Sequence, residues 1–160
     1  LSNKARFSGH TWDFYSVAQH CVLGSHCVAP SYALAFLLHD VSEAYLPDIA
    51  SPIKGRVFWQ DSGGQHLPWE RLERLHLETI LGALGHASLL PLMSSAEVLG
   101  MDRGMLLAER DALLSMPPED WGLDGIPAPV AIKAWPPLEA EERFLRRYEV
   151  LQQMANRLVL

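Results

Sequence analysis

The chain has 160 residues, of which 49% are hydrophobic and 20% are charged, and its formal net charge is −6. This length and composition exclude a disordered chain, and we expect residues 1–160 to form a single domain. The acidic balance argues against polymeric nucleic acid as a partner, because duplex-binding proteins neutralise phosphates with a basic face. No apolar run approaches the roughly 20 residues of a membrane helix, which argues against a membrane partner.

Hydrophobic periodicity predicts a first helix from Trp12 to about Val28, which the sequence Ala-Pro-Ser at 29–31 ends. A second helix is predicted from about Tyr32 to Tyr45. Its sequence is apolar nearly all round as far as His39, so we expect it in the middle of the domain rather than on its surface.

The rest of the chain is predicted to be helical or irregular, because no strand-like alternation persists. The 116–137 span holds six prolines and two glycines, and a loop of that length is usually functional or mobile. The predicted elements are a loop with short turns at 48–67, an amphipathic helix at 68–84, a helix capped by Ser94 or Ser95 that runs to about Ser115, the irregular Pro-rich span at 116–137 and an amphipathic helix at 138–158.

Both cysteines, Cys21 and Cys27, fall near the end of the first predicted helix. Six residues of helix separate them by about 9 Å of rise and place them on different faces, a geometry that forbids a disulfide between them. Free thiols favour a reducing compartment, so we expect a cytoplasmic protein. Because the chain begins with Leu1 rather than Met, we also expect it to lack the N-terminus of a longer parent.

His39 and Asp40 stand at the polar end of the second predicted helix. An imidazole and a carboxylate buried there are costly unless a partner satisfies them, and a metal ion is such a partner. A lone His-Asp pair more often caps or hydrogen-bonds nearby backbone, so the pair by itself leaves both interpretations open.

Three further residues favour the metal. His20 lies in the preceding helix, and Asp102 falls within the apolar stripe of a later helix, where a carboxylate needs a cation. Arg103 or Arg110 is the alternative partner for Asp102. Glu43 falls one turn after the His-Asp pair and points to the same side of the helix.

Two imidazoles and two carboxylates suit Mn²⁺, Co²⁺, Fe²⁺, Ni²⁺ or Zn²⁺, so the expected cofactor is one divalent metal ion. Such an ion lowers the pKa of a bound water and polarises a phosphoryl oxygen. A nearby carboxylate then orients or deprotonates that water, and Glu43 and Asp48 are the candidates.

The order of these residues resembles the signature of the HD-domain metal-dependent phosphohydrolase superfamily. The strings RFSGHTWDFYSVAQH, LLHDVSEAYLPDIASPIK and MDRGMLLAERDALL are similar to stretches of bacterial 5′-deoxynucleotidases and of small phage deoxynucleotide triphosphohydrolases, including those that act on dATP. The resemblance implies an all-α, single-domain helical bundle of the HD type. It also implies hydrolysis of a deoxynucleotide in the cytoplasm, which is a host's cytoplasm if the chain is phage-encoded.

Roles carry over from this resemblance position by position. His20, His39, Asp40 and Asp102 match the four metal ligands of the superfamily. Glu43 matches the acid beside the attacking water.

The resemblance also assigns residues around the substrate. Asp48 matches a second catalytic acid of the 5′-deoxynucleotidases, and Arg6 and Lys54 match cations that contact phosphate during catalysis. Phe7 and Pro52 match residues that line the base pocket from opposite sides. Taken alone, the two cations would be assigned to the solvated surface and the two rings to packing.

Several functions remain open at this point. Because Arg6 and Lys54 together suggest more than one phosphate to hold, a dNTP triphosphohydrolase is favoured over a 5′-deoxynucleotidase that acts on dNMPs. A non-catalytic nucleotide-binding module of the same fold is the alternative from another class. A dinuclear HD protein needs further histidines, and His76 lies in a heavily charged helix that favours a solvated side chain. The expected partners are a nucleotide and further copies of the chain, since relatives are commonly dimers or hexamers.

Overall fold

Helices dominate the computed structural model, which describes residues 1–116, 119 and 121–157. Short 3₁₀ turns at Arg6–Gly9, Val41–Ala44 and Ala87–Leu89 connect several of the elements. The prediction of a mostly helical chain is therefore confirmed. The α-helices of the described residues are α1 (Val17–Ser25), α2 (Ala33–Leu38), α3 (Ser51–Lys54), α4 (Trp69–Ala83), α5 (Leu90–Met93), α6 (Ala96–Leu113) and α7 (Pro137–Arg157).

One β-hairpin contradicts the prediction that the chain has no strands. Strand β1 (Phe58–Gln60) pairs antiparallel with β2 (His66–Pro68), and the Asp61 Oδ1 atom accepts two backbone N–H bonds within the connecting turn. Strands of three residues are too short to show alternation, although the Gly63-Gly64 pair between them is typical of a hairpin turn. The predicted loop at 48–67 thus contains both α3 and most of this hairpin.

The core lies where α1, α2 and α7 pack together. Gly24 of α1 lies directly against the Phe36 ring of α2, and a Cβ atom at Gly24 would overlap that ring. This close approach brings the middle of α1 next to the end of α2. The buried apolar side chains of the three helices include Val17, Cys21, Val22, Leu34, Phe36, Leu37, Leu38, Ala140 and Leu151.

Helix α1 begins five residues later than predicted, because the preceding residues are extended. Ala5 and Ser16 form an isolated antiparallel bridge, and the Arg6 N–H group donates to the Tyr15 carbonyl oxygen at 2.9 Å. The Ser16 hydroxyl oxygen then caps the helix by accepting from the Gln19 N–H group. This pairing fixes Arg6 beside the start of α1.

Helix α2 ends at Leu38, well before the predicted end at Tyr45. The His39 ring Nδ1 lies 2.6 Å from the Phe36 carbonyl oxygen, and Asp40 leaves helical geometry at φ −100° and ψ 16°. The chain then resumes as the 3₁₀ turn Val41–Ala44. The His-Asp pair therefore occupies a break between two helical segments instead of the interior of one helix.

The Pro-rich span contains neither helix nor strand over its described residues before Pro137, as predicted, and it is anchored to the domain. The Gln19 amide donates to the Lys133 carbonyl oxygen at 2.7 Å and accepts from the Trp135 N–H group at 2.9 Å. The Ala128 N–H group donates to the Gly104 carbonyl oxygen of α6 at 2.8 Å. The span is thereby held against both α1 and α6.

The later helices begin and end close to the predicted positions. Helix α4 fills the predicted 68–84 range, and the Ser95 hydroxyl caps α6 by accepting from the Val98 N–H group. Helix α7 begins at Pro137, and the predicted end at Leu158 lies outside the described residues. None of the described helices is both long enough and apolar enough to span a membrane.

Candidate metal centre

Four side chains from three parts of the fold converge on one point. His20 comes from α1, His39 and Asp40 from the break after α2, and Asp102 from the first half of α6. The Nε2 atom of His20 lies 3.2 Å from the Asp102 Oδ1 atom and 3.8 Å from the Asp40 Oδ2 atom. The Nε2 atom of His39 lies 3.6 and 3.3 Å from the same two oxygens.

The spacing of these atoms matches a coordination sphere. Neighbouring ligand atoms about 2.1 Å from one metal ion stand about 3.0 Å apart in octahedral geometry, which leaves positions open beyond four protein ligands, and about 3.4 Å apart in tetrahedral geometry. The four cross-distances between the imidazole nitrogens and the carboxylate oxygens run from 3.2 to 3.8 Å. His20, His39 and Asp102 form a group that could hold a metal ion, and Asp40 belongs to a second such group with His39 and Cys21.

Each imidazole is oriented by a contact at its far nitrogen. The Nδ1 atom of His20 lies 2.7 Å from the Glu109 Oε1 atom, and that of His39 contacts the Phe36 carbonyl oxygen. An acceptor at Nδ1 keeps the proton there, so the Nε2 lone pair faces the centre. Both Nε2 atoms are buried without a hydrogen-bond partner among the described residues, although each lies at ion-pair distance from the Asp102 Oδ1 atom. A metal ion would accept these two unpartnered Nε2 lone pairs.

Glu109 of α6 is a site residue that the sequence analysis missed. Its side chain is fully buried, and its two oxygens accept from the Tyr15 hydroxyl at 2.9 Å and the Arg6 Nε atom at 3.0 Å in addition to His20. Glu109 lies seven residues after Asp102, two helical turns along the same face. A second carboxylate in that apolar stripe was the sequence signal.

The electrostatics of the cluster call for positive charge. Burial lowers the pKa of His39, but the charge of Asp40 and the contact with Asp102 raise it by more. The pKa of His39 therefore lies well above the ordinary value of an imidazole. Burial and Arg6 lower the pKa of His20, which Glu109 and Asp102 raise above its ordinary value. The carboxylates attract a cation to the same space in which they attract these protons.

Glu43 lies at the rim of the cluster, on the 3₁₀ turn Val41–Ala44. Burial, together with the charges of Asp40 and Asp48, raises the pKa of its carboxyl to about 8, although Arg6 and His20 oppose the shift. Its Oε2 atom is buried with no hydrogen-bond partner among the described residues. The structure thus places the Glu43 carboxyl beside the residues of the cluster.

The second predicted acid and the two predicted cations surround the same rim. Asp48 is exposed and lies near enough to affect the pKa of Glu43. The Arg6 NH1 atom lies 3.6 Å from the Asp40 Oδ2 atom. The Lys54 Nζ atom lies 2.8 Å from the Glu73 Oε1 atom of α4, an ion pair that the sequence did not suggest.

The predicted base-pocket residues are placed less completely. The Phe7 ring centroid lies 5.6 Å from the Arg6 guanidinium carbon, so this ring does lie beside the predicted phosphate contact. Pro52 belongs to α3, but its side chain lies outside the described residues.

The cluster is open to solvent on one side. The Asp102 side chain is 42% exposed and that of Asp40 is 21% exposed, whereas His20 is fully buried. Two grooves, of about 670 and 570 Å³, lie between α1 and α7 and along α4, away from the four ligands. The donor chemistry therefore identifies this site better than cavity size does.

Comparison with known proteins adds one relative. No family model and no solved structure matches the chain. The chain is 36% identical over 158 residues to the uncharacterized protein YfdR of Escherichia coli (strain K12), an alignment that covers 96% of the chain and 81% of YfdR. This chain belongs to the YfdR family. The alignment spans nearly the whole chain, so it includes every element that contributes to the candidate metal centre of this YfdR-family member.

Proposed function

We propose that the chain is an HD-type, metal-dependent phosphohydrolase that acts on deoxynucleotides. The observation that carries the proposal is the pair of buried, unpartnered Nε2 atoms of His20 and His39, which face the carboxylates of Asp40 and Asp102. Two nitrogens and two oxygens form a donor set that suits Mn²⁺, Co²⁺, Fe²⁺, Ni²⁺ or Zn²⁺. When bound, such an ion supplies Lewis-acid polarisation of a phosphoryl oxygen and a more acidic water.

Glu43 supports hydrolysis rather than binding alone. A carboxyl whose pKa is about 8 exchanges its proton near neutral pH, which suits general acid–base catalysis. Its unpartnered Oε2 atom lies at the rim of the ligands, where it can accept a proton from a nucleophilic water. Asp48, exposed beside it, can assist at the leaving group.

The cations support a phosphate-bearing substrate. Arg6 is held between Glu109 and Asp40, so its guanidinium is fixed beside the ligands before any substrate arrives. A preorganised cation stabilises the charge that develops on a transferring phosphoryl group. Lys54 carries a second positive charge near the rim: burial lowers its pKa, but the contact with Glu73 and the charges of Glu43 and Asp40 raise it above the ordinary value.

Two substrate classes give different products. The presence of both Arg6 and Lys54 favours a triphosphate, and cleavage would then release tripolyphosphate. Lys54 already pairs with Glu73 at 2.8 Å, which favours the dNMP as the second candidate because it leaves Arg6 as the main phosphate contact.

The test is a substrate panel on protein of defined metal content. The chain is stripped with a chelator, reloaded with Mn²⁺ or Co²⁺, and assayed for release of phosphate and tripolyphosphate from the common dNMPs and dNTPs. We expect one metal per chain and turnover that requires it, with Asp102→Asn losing both. Folded, metal-loaded protein that binds these nucleotides without turnover would overturn the proposal in favour of a non-catalytic module.

A further inference from the structure

An aromatic pair, half-buried Phe7 and exposed Trp121, lies next to the candidate metal centre. The Phe7 ring centroid lies 6.4 Å from that of Trp121, with the ring planes tilted by 43°, and Trp121 is 41% exposed. We name these two rings the aromatic platform. Phe7 directly follows Arg6, whose guanidinium contacts both the Phe7 ring and Asp40. A chain of contacts therefore connects the metal ligands to the platform.

The backbone beneath the platform is strained. Phe7 and Ser8 have φ values of 53° and 51°, in the left-handed region that residues with a side chain rarely adopt, and Gly9 follows at 78°. Consecutive outliers of this kind persist only where the surrounding structure holds them, and they concentrate at ligand sites. The strain turns the chain so that Phe7 stands beside Arg6 rather than in the core.

The segment that follows Trp121 packs closely against α6. A Cβ atom at Gly104 of α6 would come within 3.1 Å of the Ile126 carbonyl oxygen, so only glycine lets this segment approach the helix so closely. Gly125 has a φ of 150°, and a Cβ atom there would come within 3.3 Å of the Leu107 side chain. The Arg110 guanidinium lies 6.0 Å from the Trp121 ring and adds a cation–π contact.

We infer that the aromatic platform formed by Phe7 and Trp121 stacks the base of the nucleotide whose phosphate lies at Arg6. This inference rests on the proposed function and assigns Trp121, from the Pro-rich span, as a residue that binds the substrate. A base offers a flat π-face to the rings whatever its identity, so the platform predicts low selectivity among bases. The Pro-rich span thereby gains a role, because it carries one of the two rings.

Binding measurements with a matched pair of probes test the inference. Manganese-loaded protein is titrated with a deoxynucleoside phosphonate, which contains a base but no cleavable ester, and with inorganic phosphate, which lacks a base. We expect Trp121→Ala to weaken phosphonate binding about 10-fold, the loss expected for one base–ring stack, and to leave phosphate binding unchanged. Trp121→Phe should retain most of the affinity.

Ile126→Ala provides the control, because Ile126 is an 87% exposed apolar side chain in the same segment without a ring contact. Unchanged phosphonate binding in Trp121→Ala, or equal weakening of both probes, would overturn the platform, as would wild-type protein that does not bind the phosphonate. Wild-type protein that binds the phosphonate through Trp121 but hydrolyses no nucleotide would overturn the proposed function. The same result would support base binding by the aromatic platform.

Discussion

The inner and outer sides of the candidate metal centre are built in different ways. On the inner side, His20, Tyr15 and Glu109 are fully buried on or beside regular helices, and each of the three contacts another of them by a hydrogen bond. On the outer side, Glu43 and Lys54 lie on helical segments of four residues and are partly exposed.

This difference separates two tasks. A buried network of hydrogen bonds through Glu109 holds the His20 ring in one geometry, because a rearrangement would leave further buried polar groups unsatisfied. On the outer side, Glu43 keeps an oxygen without a hydrogen-bond partner among the described residues and the Lys54 side chain is partly exposed, which suits groups that bind and act on a substrate. We therefore expect inner-side substitutions to act through the metal and outer-side substitutions to act on turnover alone.

Removal of a ligand should have the largest effect. His39→Ala deletes one of the two imidazole nitrogens, so we expect loss of the bound metal and a fall in kcat of roughly 10³-fold or more. Metal analysis of the purified variant and a phosphate-release assay measure the two quantities. His76→Ala is the control, since His76 lies on α4 outside the cluster and its Nδ1 atom contacts the Leu72 carbonyl oxygen. Full activity in His39→Ala would show that the candidate metal centre takes no part in catalysis.

Substitution on the outer side should separate turnover from metal binding. We expect Glu43→Gln to lower kcat by roughly 10² to 10⁴-fold, the range for loss of a general base, while the metal content stays at the wild-type level. Asp48→Asn should cost less, because Asp48 is exposed and lies farther out. Loss of metal in Glu43→Gln would show that this residue is a metal ligand. The outer side would then act on metal binding as well as on turnover.

The contrast also explains what the sequence could predict. The four residues of the candidate metal centre could be proposed from the sequence because polar groups in an apolar helical pattern need a partner. The break after α2 could not be predicted, because helix propensity alone would continue the helix to Tyr45. In the structure the helix ends at Leu38, where the His39 Nδ1 atom contacts the Phe36 carbonyl oxygen.

Glu109 and Trp121 show two other reasons for missed residues. Glu109 falls in the apolar stripe of α6, which indicates a buried carboxylate, but only the three-dimensional packing shows that its partners are Tyr15, Arg6 and His20. Trp121 lies in a span without periodicity, so no pattern relates it to Phe7, which is more than a hundred residues away. Contacts between distant irregular segments leave no local signal.

Glu109→Gln tests how far the inner side acts through the metal. The amide keeps the shape but loses the charge that His20 and Arg6 contact, so we expect a 10 to 100-fold weaker metal affinity, as is typical for groups that orient a ligand. Competition with a chelator of known affinity measures this change. Tyr15→Phe removes only one donor to the same carboxylate and should weaken metal binding less. A normal metal affinity together with reduced turnover in Glu109→Gln would show that Glu109 acts through Arg6 rather than His20.

The smallest expected effect is a pH-dependent stability change in metal-free protein. The pKa of Glu43 is about 8 in the folded chain against an ordinary value of 4.5. Between these values the unfolded chain releases a proton that the folded chain retains, so Glu43 costs stability increasingly as the pH rises from 4.5 to 8. Glu43→Gln cannot ionise and should therefore match wild type at pH 4.5 but be more stable at pH 8, by roughly 1–3 kcal/mol after solvent screening. Thermal unfolding in a chelator at both pH values measures the difference, with Glu149→Gln at an exposed position of α7 as the control. An equal gain at both pH values would mean that the variant stabilises by packing, and that Glu43 does not bind its proton at the rim of the centre.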